Sequence, residues 1–106
     1  MEFEFTGRHI DITPAVEELV RKELGKLDRV LDSAPMRAHV TVSAEKHRKR
    51  TEIVVYWRDS VFTAVGENTD LSQSVAAAAS RVQKQGLRLK EKFHAKKQRS
   101  KDRRES

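Results

Sequence analysis

Four cations in the last third of the chain have the spacing of side chains that share one side of a helix. They are separated by three, four and four residues, the intervals at which helical side chains neighbour one another. Only Glu91 opposes them in sign between residues 81 and 92, so the usual ion pairs between turns are missing. Such a row suits successive phosphates of a nucleic acid, although a solvated helix face is the alternative. The row is Arg81, Lys84, Arg88 and Lys92.

A second row of cations precedes it, at Lys22, Lys26 and Arg29. Carboxylates are interleaved with this row, so its charge is less one-sided than that of the later row. If the two helices lie side by side on a sheet, the two rows would frame one basic groove. Phosphate contacts made in such a groove would give salt-sensitive binding to RNA.

Two further basic segments are candidates for phosphate contacts. Residues 45–50 (EKHRKR) are predicted to form a charged turn in which Lys46 and Arg48 contact phosphate. An ordinary charged hairpin is an equal alternative. From His94 onward the apolar periodicity stops and the charge is positive, so we predict that residues 94–106 form a disordered basic tail. It would either follow a nucleic-acid backbone or serve solubility.

Catalytic and metal-binding patterns find little support in this sequence. The four histidines lie far apart, no pair has the spacing of metal ligands on a helix, and cysteine is absent. Metalloprotease, nucleophile-elbow and P-loop motifs are also missing. We therefore predict a protein that is not an enzyme and uses no cofactor, no metal and no small-molecule substrate.

The overall charge favours a polyanionic partner. The 106 residues carry a formal net charge of +6. Residues 45–106 hold 16 basic and 8 acidic side chains, against 6 and 8 in residues 1–44. Nucleic acid is the simplest partner for such a basic half, and an anionic membrane surface is the rival partner. An ordinary solvated surface is an equal alternative for the net charge alone. Neither a signal peptide nor a membrane span is visible, so we expect a soluble, cytoplasmic protein without a membrane partner.

The elements that would carry these cations follow from hydrophobic periodicity. Thr13-Pro14 predicts the start of a first amphipathic helix that ends at 32–35, and Asp70 the start of a second. Gly86 lies in the apolar stripe of the second helix and is expected to mark a close contact with the sheet or a kink. Alternating segments predict strands at 2–6, 37–44, 51–57 and 61–65, with Gly66-Glu67-Asn68 ending the last one.

These elements give the order β-α-β-β-β-α and a two-layer α+β fold. The four-stranded sheet would carry both helices on one face, in a single domain over residues 1–93. Tyr56 and Trp57 are neighbours in a strand and must point to opposite faces. One is expected in the core, and the other to be half-buried or to stack on a base.

Several of these segments resemble one known family. Residues 6–15 (TGRHIDITPA) are similar to the opening of the ribosome hibernation-promoting factors and ribosome-associated translation inhibitors. The pattern Lys26-Leu27…Leu31 and the run 40–48 (VTVSAEKHR) resemble their first helix and second strand. Residues 70–92 resemble their final helix, although Gly86 stands where the family usually has leucine. The resemblance covers residues 1–93.

This resemblance implies a fold like that of double-stranded-RNA-binding domains and a bound position in the cleft of the small ribosomal subunit. There the protein would contact rRNA and sterically exclude tRNA and mRNA. The chain would be a short member, which either supports ribosome pairing with a helper protein or blocks it. The alternatives are a general double-stranded-RNA binder and a protein-interaction module acting on a sigma factor. By position, the implied RNA contacts are Lys22, Lys26, Arg81, Lys84, Arg88 and Lys92.

Overall fold

The computed structural model describes the backbone of residues 1–31 and 36–105 and the side chains of residues 1–27, 29, 31 and 36–92. Four strands and two helices follow one another in the predicted order β-α-β-β-β-α. Their bounds are β1 (Glu2–Arg8), α1 (Pro14–Val30), β2 (Met36–Glu45), β3 (Arg48–Trp57), β4 (Ser60–Asn68) and α2 (Leu71–Glu105).

The strands form one mixed sheet in the order β1-β2-β3-β4. β1 pairs with β2 in parallel through the crossover made by α1, and the other two pairings are antiparallel. The predicted α+β class and the predicted meander of β2, β3 and β4 are confirmed. Two-residue loops join the meander, and the first residue of each loop has a positive φ, 53° at Lys46 and 55° at Arg58.

The charged turn that was predicted over residues 45–50 is wrong in its extent. The loop holds only Lys46 and His47, because Glu45 pairs with Arg48 across the two strands. Arg48 and Arg50 therefore belong to β3, where strand alternation fixes the face to which each side chain points.

Side-chain caps set the start of both helices, as predicted. The Thr13 hydroxyl accepts a hydrogen bond from the Val16 N–H at 3.3 Å, and Pro14 occupies the first turn of α1. The Asp70 carboxylate accepts one from the Ser72 N–H at 3.3 Å at the start of α2. These acceptors satisfy backbone donors that have no partner inside the helix.

The second helix ends later than the sequence indicates. Its backbone remains helical through Glu105, whereas the prediction was a disordered tail from His94. Residues 87–105 contain neither glycine nor proline, and their many Lys, Arg, Gln and Glu residues are good helix formers. The boundary of the domain at residue 93 stays a prediction. No helix in the described part of the chain is long and apolar enough to cross a membrane.

The core lies between the two helices and one face of the sheet. Every second residue of the three meander strands points into it, which leaves the opposite sheet face open. The side chains without any exposed surface include Val20, Leu24, Leu27, Leu31, Val40, Val42, Ile53, Val55, Val75 and Val82.

Small residues let α2 approach β4 closely. A Cβ at Gly66 would lie 2.6 Å from the Ala78 backbone nitrogen and would also collide with the Ser74 carbonyl oxygen. Gly66 is buried within β4 and does not end it, so the predicted strand end at this residue is wrong. The glycine is needed for close packing, and the alanines of α2 serve the same contact.

Gly86 marks a close contact between the two helices. A Cβ there would lie 2.8 Å from Leu27 Cδ1 of α1 and 3.6 Å from the Phe62 ring of β4. Leu27 and Leu31 thus fill the space that a side chain at position 86 would need. This packing accounts for a glycine inside a helix, where it costs about 1 kcal/mol relative to alanine.

A buried pair of hydroxyl groups ties α2 to β3. Ser74 donates to the Leu71 carbonyl at 2.9 Å, so the Thr51 hydroxyl, 2.8 Å from Ser74 Oγ, must be the donor between the two side chains. Neither residue has exposed surface. The pair therefore gives two similar hydrogen-bond deletions with different expected effects.

We expect Ser74→Ala to destabilise the protein more than Thr51→Val. The serine substitution leaves the buried Thr51 donor without an acceptor, at a cost of about 1–3 kcal/mol. The Thr51 substitution keeps the side-chain shape, leaves Ser74 bonded to Leu71 and should cost about 1 kcal/mol. Urea unfolding of both variants measures the difference. Equal losses would contradict the assigned direction of the bond.

Candidate nucleic-acid interface

The cations of α2 are presented to solvent. All four residues of the predicted row are exposed, and none forms an ion pair with a carboxylate in the part of the chain whose side chains are described. Their positive charge is therefore available to an external anion. These residues are Arg81, Lys84, Arg88 and Lys92.

Hydrogen bonds fix the flank of α2 on which this row lies. The Arg81 guanidinium donates to the Val65 carbonyl, and Gln85 Nε2 donates to the Thr63 carbonyl at 2.8 Å. Both carbonyls belong to the outer edge of β4, where backbone groups lack a neighbouring strand. On the opposite flank, Gln83 Nε2 donates to the Glu23 carbonyl of α1 at 2.6 Å.

The cations of α1 lie on the outer side of that helix. Lys22, Lys26 and Arg29 are all exposed, and they too form no ion pair with a described carboxylate. Arg21 instead turns toward β1, with its guanidinium carbon 5.4 Å from the centre of the Phe3 ring. The row on α1 is thus also open to solvent.

The sequence suggested that the two rows of cations frame one groove, but in the structure they do not. Arg81 contacts the edge of β4, and Arg88 and Lys92 line a hollow beside Ser60 and Val61 of the same strand. Three of the four α2 cations therefore lie on the flank away from α1, while Lys84 lies on the crest, opposite the buried stripe. Together the rows make a broad basic surface across both helices, which we call the helical basic surface.

The two hairpin cations belong to a different surface. Lys46 and Arg48 are exposed at the loop between β2 and β3. Arg48 forms an ion pair with Glu67 of β4 at 3.1 Å, whereas no described carboxylate pairs with Lys46. They line an open cleft of about 850 Å³ at this end of the sheet, far along the strands from the Arg58 loop.

Sequence reasoning missed two residues that line the same cleft, Arg8 and His9, and it included Arg50 only as part of the turn at 45–50. Arg8 ends β1 and pairs in register with Ser43 of β2, which in turn pairs with Arg50 of β3. The side chains of Arg8, Ser43 and Arg50 therefore point to the same, open face of the sheet. Arg8 reaches the cleft because β1 pairs with β2 in parallel. The sequence pattern of residues 2–8 does not predict this register.

Tyr56 and Trp57 point to opposite faces of the sheet, as predicted. Trp57 is buried in the core, whereas Tyr56 is 45% exposed on the open face. The Arg37 guanidinium carbon lies 5.8 Å from the centre of the Tyr56 ring, a distance at which a cation is attracted to an aromatic face.

In the described part of the chain, no three His, Asp or Glu side chains are grouped so that they could hold a metal ion.

The comparisons with known proteins agree on one family. A sequence model described as "Sigma 54 modulation protein / S30EA ribosomal protein" matches residues 3–94. A relative from Bacillus subtilis named ribosome hibernation promotion factor is 24% identical over 99 residues, which are 91% of this chain and 52% of the relative. The chain thus spans about half the length of that relative.

Solved structures show the same fold. The N-terminal domain of Protein Y from Thermus thermophilus superposes with a TM-score of 0.79 at 30% identity, covering 84% of this chain and 99% of that domain. A ribosomal subunit interface protein from Coxiella burnetii gives a TM-score of 0.77 at 26% identity, covering 85% of this chain and 98% of that protein. Nearly the whole of each of these two chains is represented here.

Proposed function

The chain belongs to the Sigma 54 modulation protein / S30EA ribosomal protein family, and from this premise we propose that it binds rRNA in the cleft of the small ribosomal subunit. Its relatives include a ribosome hibernation promotion factor and a ribosomal subunit interface protein. The family is one of ribosome-associated factors and is not known as an enzyme family. Association with ribosomes implies a cytoplasmic location for this chain.

What supports the proposal most directly is the state of the helical basic surface. Its seven cations come from two separate helices, yet all are exposed and none pairs with a described carboxylate. Isolated surface cations are weak evidence, but an extended surface without counter-charges is what a phosphate backbone requires. The seven are Lys22, Lys26, Arg29, Arg81, Lys84, Arg88 and Lys92.

The mechanism that we propose is steric. The bound domain would occupy the space that tRNA and mRNA need, so translation stops without any bond being made or broken. Helical and sheet backbones pack around a hydrophobic core, and a body of this kind keeps its shape when it is bound. An idle subunit would be held in an inactive, protected state until the protein dissociates. A helper protein for ribosome pairing is part of the same proposal.

Co-sedimentation with purified small ribosomal subunits in sucrose gradients tests the proposal. We expect binding at low salt that weakens on the order of a thousandfold between 50 and 200 mM salt, because six or more phosphate contacts release that many counterions. We also expect bound protein to exclude initiator tRNA and mRNA from the same subunits. Filter binding of labelled tRNA to the loaded subunits measures this exclusion.

Two controls separate the proposal from the other functions. Plain duplex RNA of equal length should bind more weakly than the subunit, and equal affinity would indicate a general double-stranded-RNA binder. Salt-independent association with the subunit would indicate an apolar protein interface in place of phosphate contacts. Subunits that accept tRNA normally while the protein is bound would contradict the steric mechanism.

A further inference from the structure

The cleft at the β2–β3 hairpin is set apart from the helical basic surface by the sheet itself. It opens on the sheet face that neither helix covers, at the end where β1 stops. Its volume of about 850 Å³ is larger than a single phosphate group needs. A ligand held here would therefore lie on the opposite side of the domain from the cations of α1 and α2.

The lining of this cleft carries more positive than negative charge. Four cations and two carboxylates line it, together with two histidines and the Ser43 and Thr69 hydroxyls. Arg8 and Lys46 have no ion pair with any described carboxylate. The charged groups are Arg8, Lys46, Arg48, Arg50, Glu45 and Glu67, and the histidines are His9 and His47.

Glu67 orients two of these arginines. Its Oε2 lies 3.1 Å from Arg48 Nη1, and its Oε1 lies 3.6 Å from Arg50 Nε. Arg50 Nη2 also lies 3.9 Å from Oε2 of Glu52, a residue that does not line the cleft. Ion pairs this exposed add little stability, but they limit the positions that the two guanidinium groups can take.

The strand register places a hydroxyl between two arginines. Arg8, Ser43 and Arg50 are directly opposite one another on three adjacent strands, so neighbouring backbones are roughly 5 Å apart. Two guanidinium groups that flank a hydroxyl donor match the three-sided array of oxygens on a phosphate. Lys46, held at the loop by its positive φ of 53°, adds a fourth donor at the rim.

We propose that Arg8, Ser43, Arg50 and Lys46 form a phosphate-binding cleft that takes a backbone phosphate of RNA. The site deepens the function proposed above, because the protein would then contact RNA on two opposite faces. A domain that contacts RNA on two faces dissociates more slowly than one that contacts RNA on one face. Each contact keeps the other at high effective concentration. Phosphate is the shared chemistry of RNA and of free nucleotides, and the test below distinguishes these two sources.

Arg8→Gln tests the cleft, with Arg37→Gln as the matched control. Both arginines lie on the open sheet face and both substitutions remove one charge, but Arg37 lies outside the cleft, over Tyr56. Arg8→Gln should weaken binding to small subunits about 5-fold to 10-fold and lower the slope of log K against log salt by about 1. Arg37→Gln should stay within about twofold of wild type. Equal effects of the two substitutions would overturn the proposal.

A direct titration distinguishes failure of the cleft from failure of ribosome binding. Inorganic phosphate is added to the ¹⁵N-labelled chain of 106 residues, and the amide signals of Ser43 and Arg50 are followed. We expect these signals to shift in wild type and in Arg37→Gln but not in Arg8→Gln. Such shifts without any binding of wild type to subunits would retain the cleft and reject the proposed function. Absence of shifts, with subunit binding intact, would reject the cleft.

The source of the phosphate is decided by comparing ligands. A nucleoside monophosphate and a short single-stranded RNA are titrated under the same conditions. Tighter binding of the RNA, together with the weakened subunit binding of Arg8→Gln, supports a backbone phosphate. Saturation by the monophosphate below about 1 mM with unchanged subunit affinity of Arg8→Gln would assign the cleft to a free nucleotide and overturn the RNA contact.

Discussion

Reversing the charges of Lys84 and Arg88 together is expected to abolish binding to the small ribosomal subunit at physiological salt. Both side chains are exposed on α2 and neither pairs with a described carboxylate. Lys84→Glu with Arg88→Glu removes two phosphate contacts and places two carboxylates against the RNA backbone. We expect at least about a 100-fold loss of affinity, or about 2.7 kcal/mol. Co-sedimentation at fixed ionic strength, quantified by titration, measures it.

Arg81 is deliberately left unchanged in this variant. Its guanidinium donates to the Val65 carbonyl at the free edge of β4, so a glutamate there would disturb the sheet as well as the charge. Within the described side chains, neither Lys84 nor Arg88 makes a structural contact of that kind. A loss of binding in the Lys84/Arg88 variant can therefore be assigned to the interface, once circular dichroism shows an unchanged fold.

A control for net charge is available outside the two helices. Arg37→Glu with Arg58→Glu also removes four charges from the formal net charge of +6. Arg37 lies over the Tyr56 ring on the open sheet face, and Arg58 lies over the Trp57 ring at the loop between β3 and β4. If both double variants lose binding equally, total charge and not the helical basic surface governs association. Retained binding by the Lys84/Arg88 variant would exclude α2 as the RNA-contacting element.

The order of elements could be predicted because each one is encoded locally. Thr13-Pro14 and Asp70 act as helix starts through backbone groups only two or three residues away. Strand alternation in residues 37–44 likewise needs no knowledge of the rest of the chain. Where boundaries were wrong, as at Gly66, the residue serves a contact with a distant element that the local pattern does not contain.

The arrangement of the candidate site was less predictable, because it depends on the topology of the whole fold. Helical spacing correctly placed the α2 cations on one exposed stripe. It could not decide whether that stripe faces α1 or the edge of β4, since the two flanks of an amphipathic helix are equivalent until its neighbours are known. The contacts of Gln83 and Gln85 with opposite neighbours settle this choice.

The cleft at the β2–β3 hairpin was even harder to predict from the sequence. Its cations come from β1, the β2–β3 loop and β3, which are separated by up to about forty residues. Arg8 in particular reaches Ser43 only because β1 joins the sheet in parallel to β2. The location of Lys46 and Arg48 in a basic hairpin was predictable, whereas their association with Arg8 follows from strand register alone.

Gly66→Ala is expected to destabilise the protein strongly. The added methyl group would meet backbone atoms of α2, including the Ala78 nitrogen at 2.6 Å, and backbone cannot move aside as a flexible side chain can. Helix α2 would have to lift from β4 and loosen the buried contacts of Val75 and Val82. We expect a loss of about 3 kcal/mol or more and a fall in Tm of more than about 10 °C. Thermal and urea unfolding, followed by far-UV circular dichroism, measure both quantities.

Gly25→Ala is the matched control, and its expected effect has the opposite sign. A Cβ at Gly25 would meet no atom within 4 Å, and the residue is exposed inside α1. Alanine there should stabilise the protein by about 0.5–1 kcal/mol through its higher helix propensity. The same chemical change thus separates close packing from backbone preference. If Gly66→Ala unfolds at the same urea concentration as Gly25→Ala, α2 does not lie against β4 as closely as these distances require.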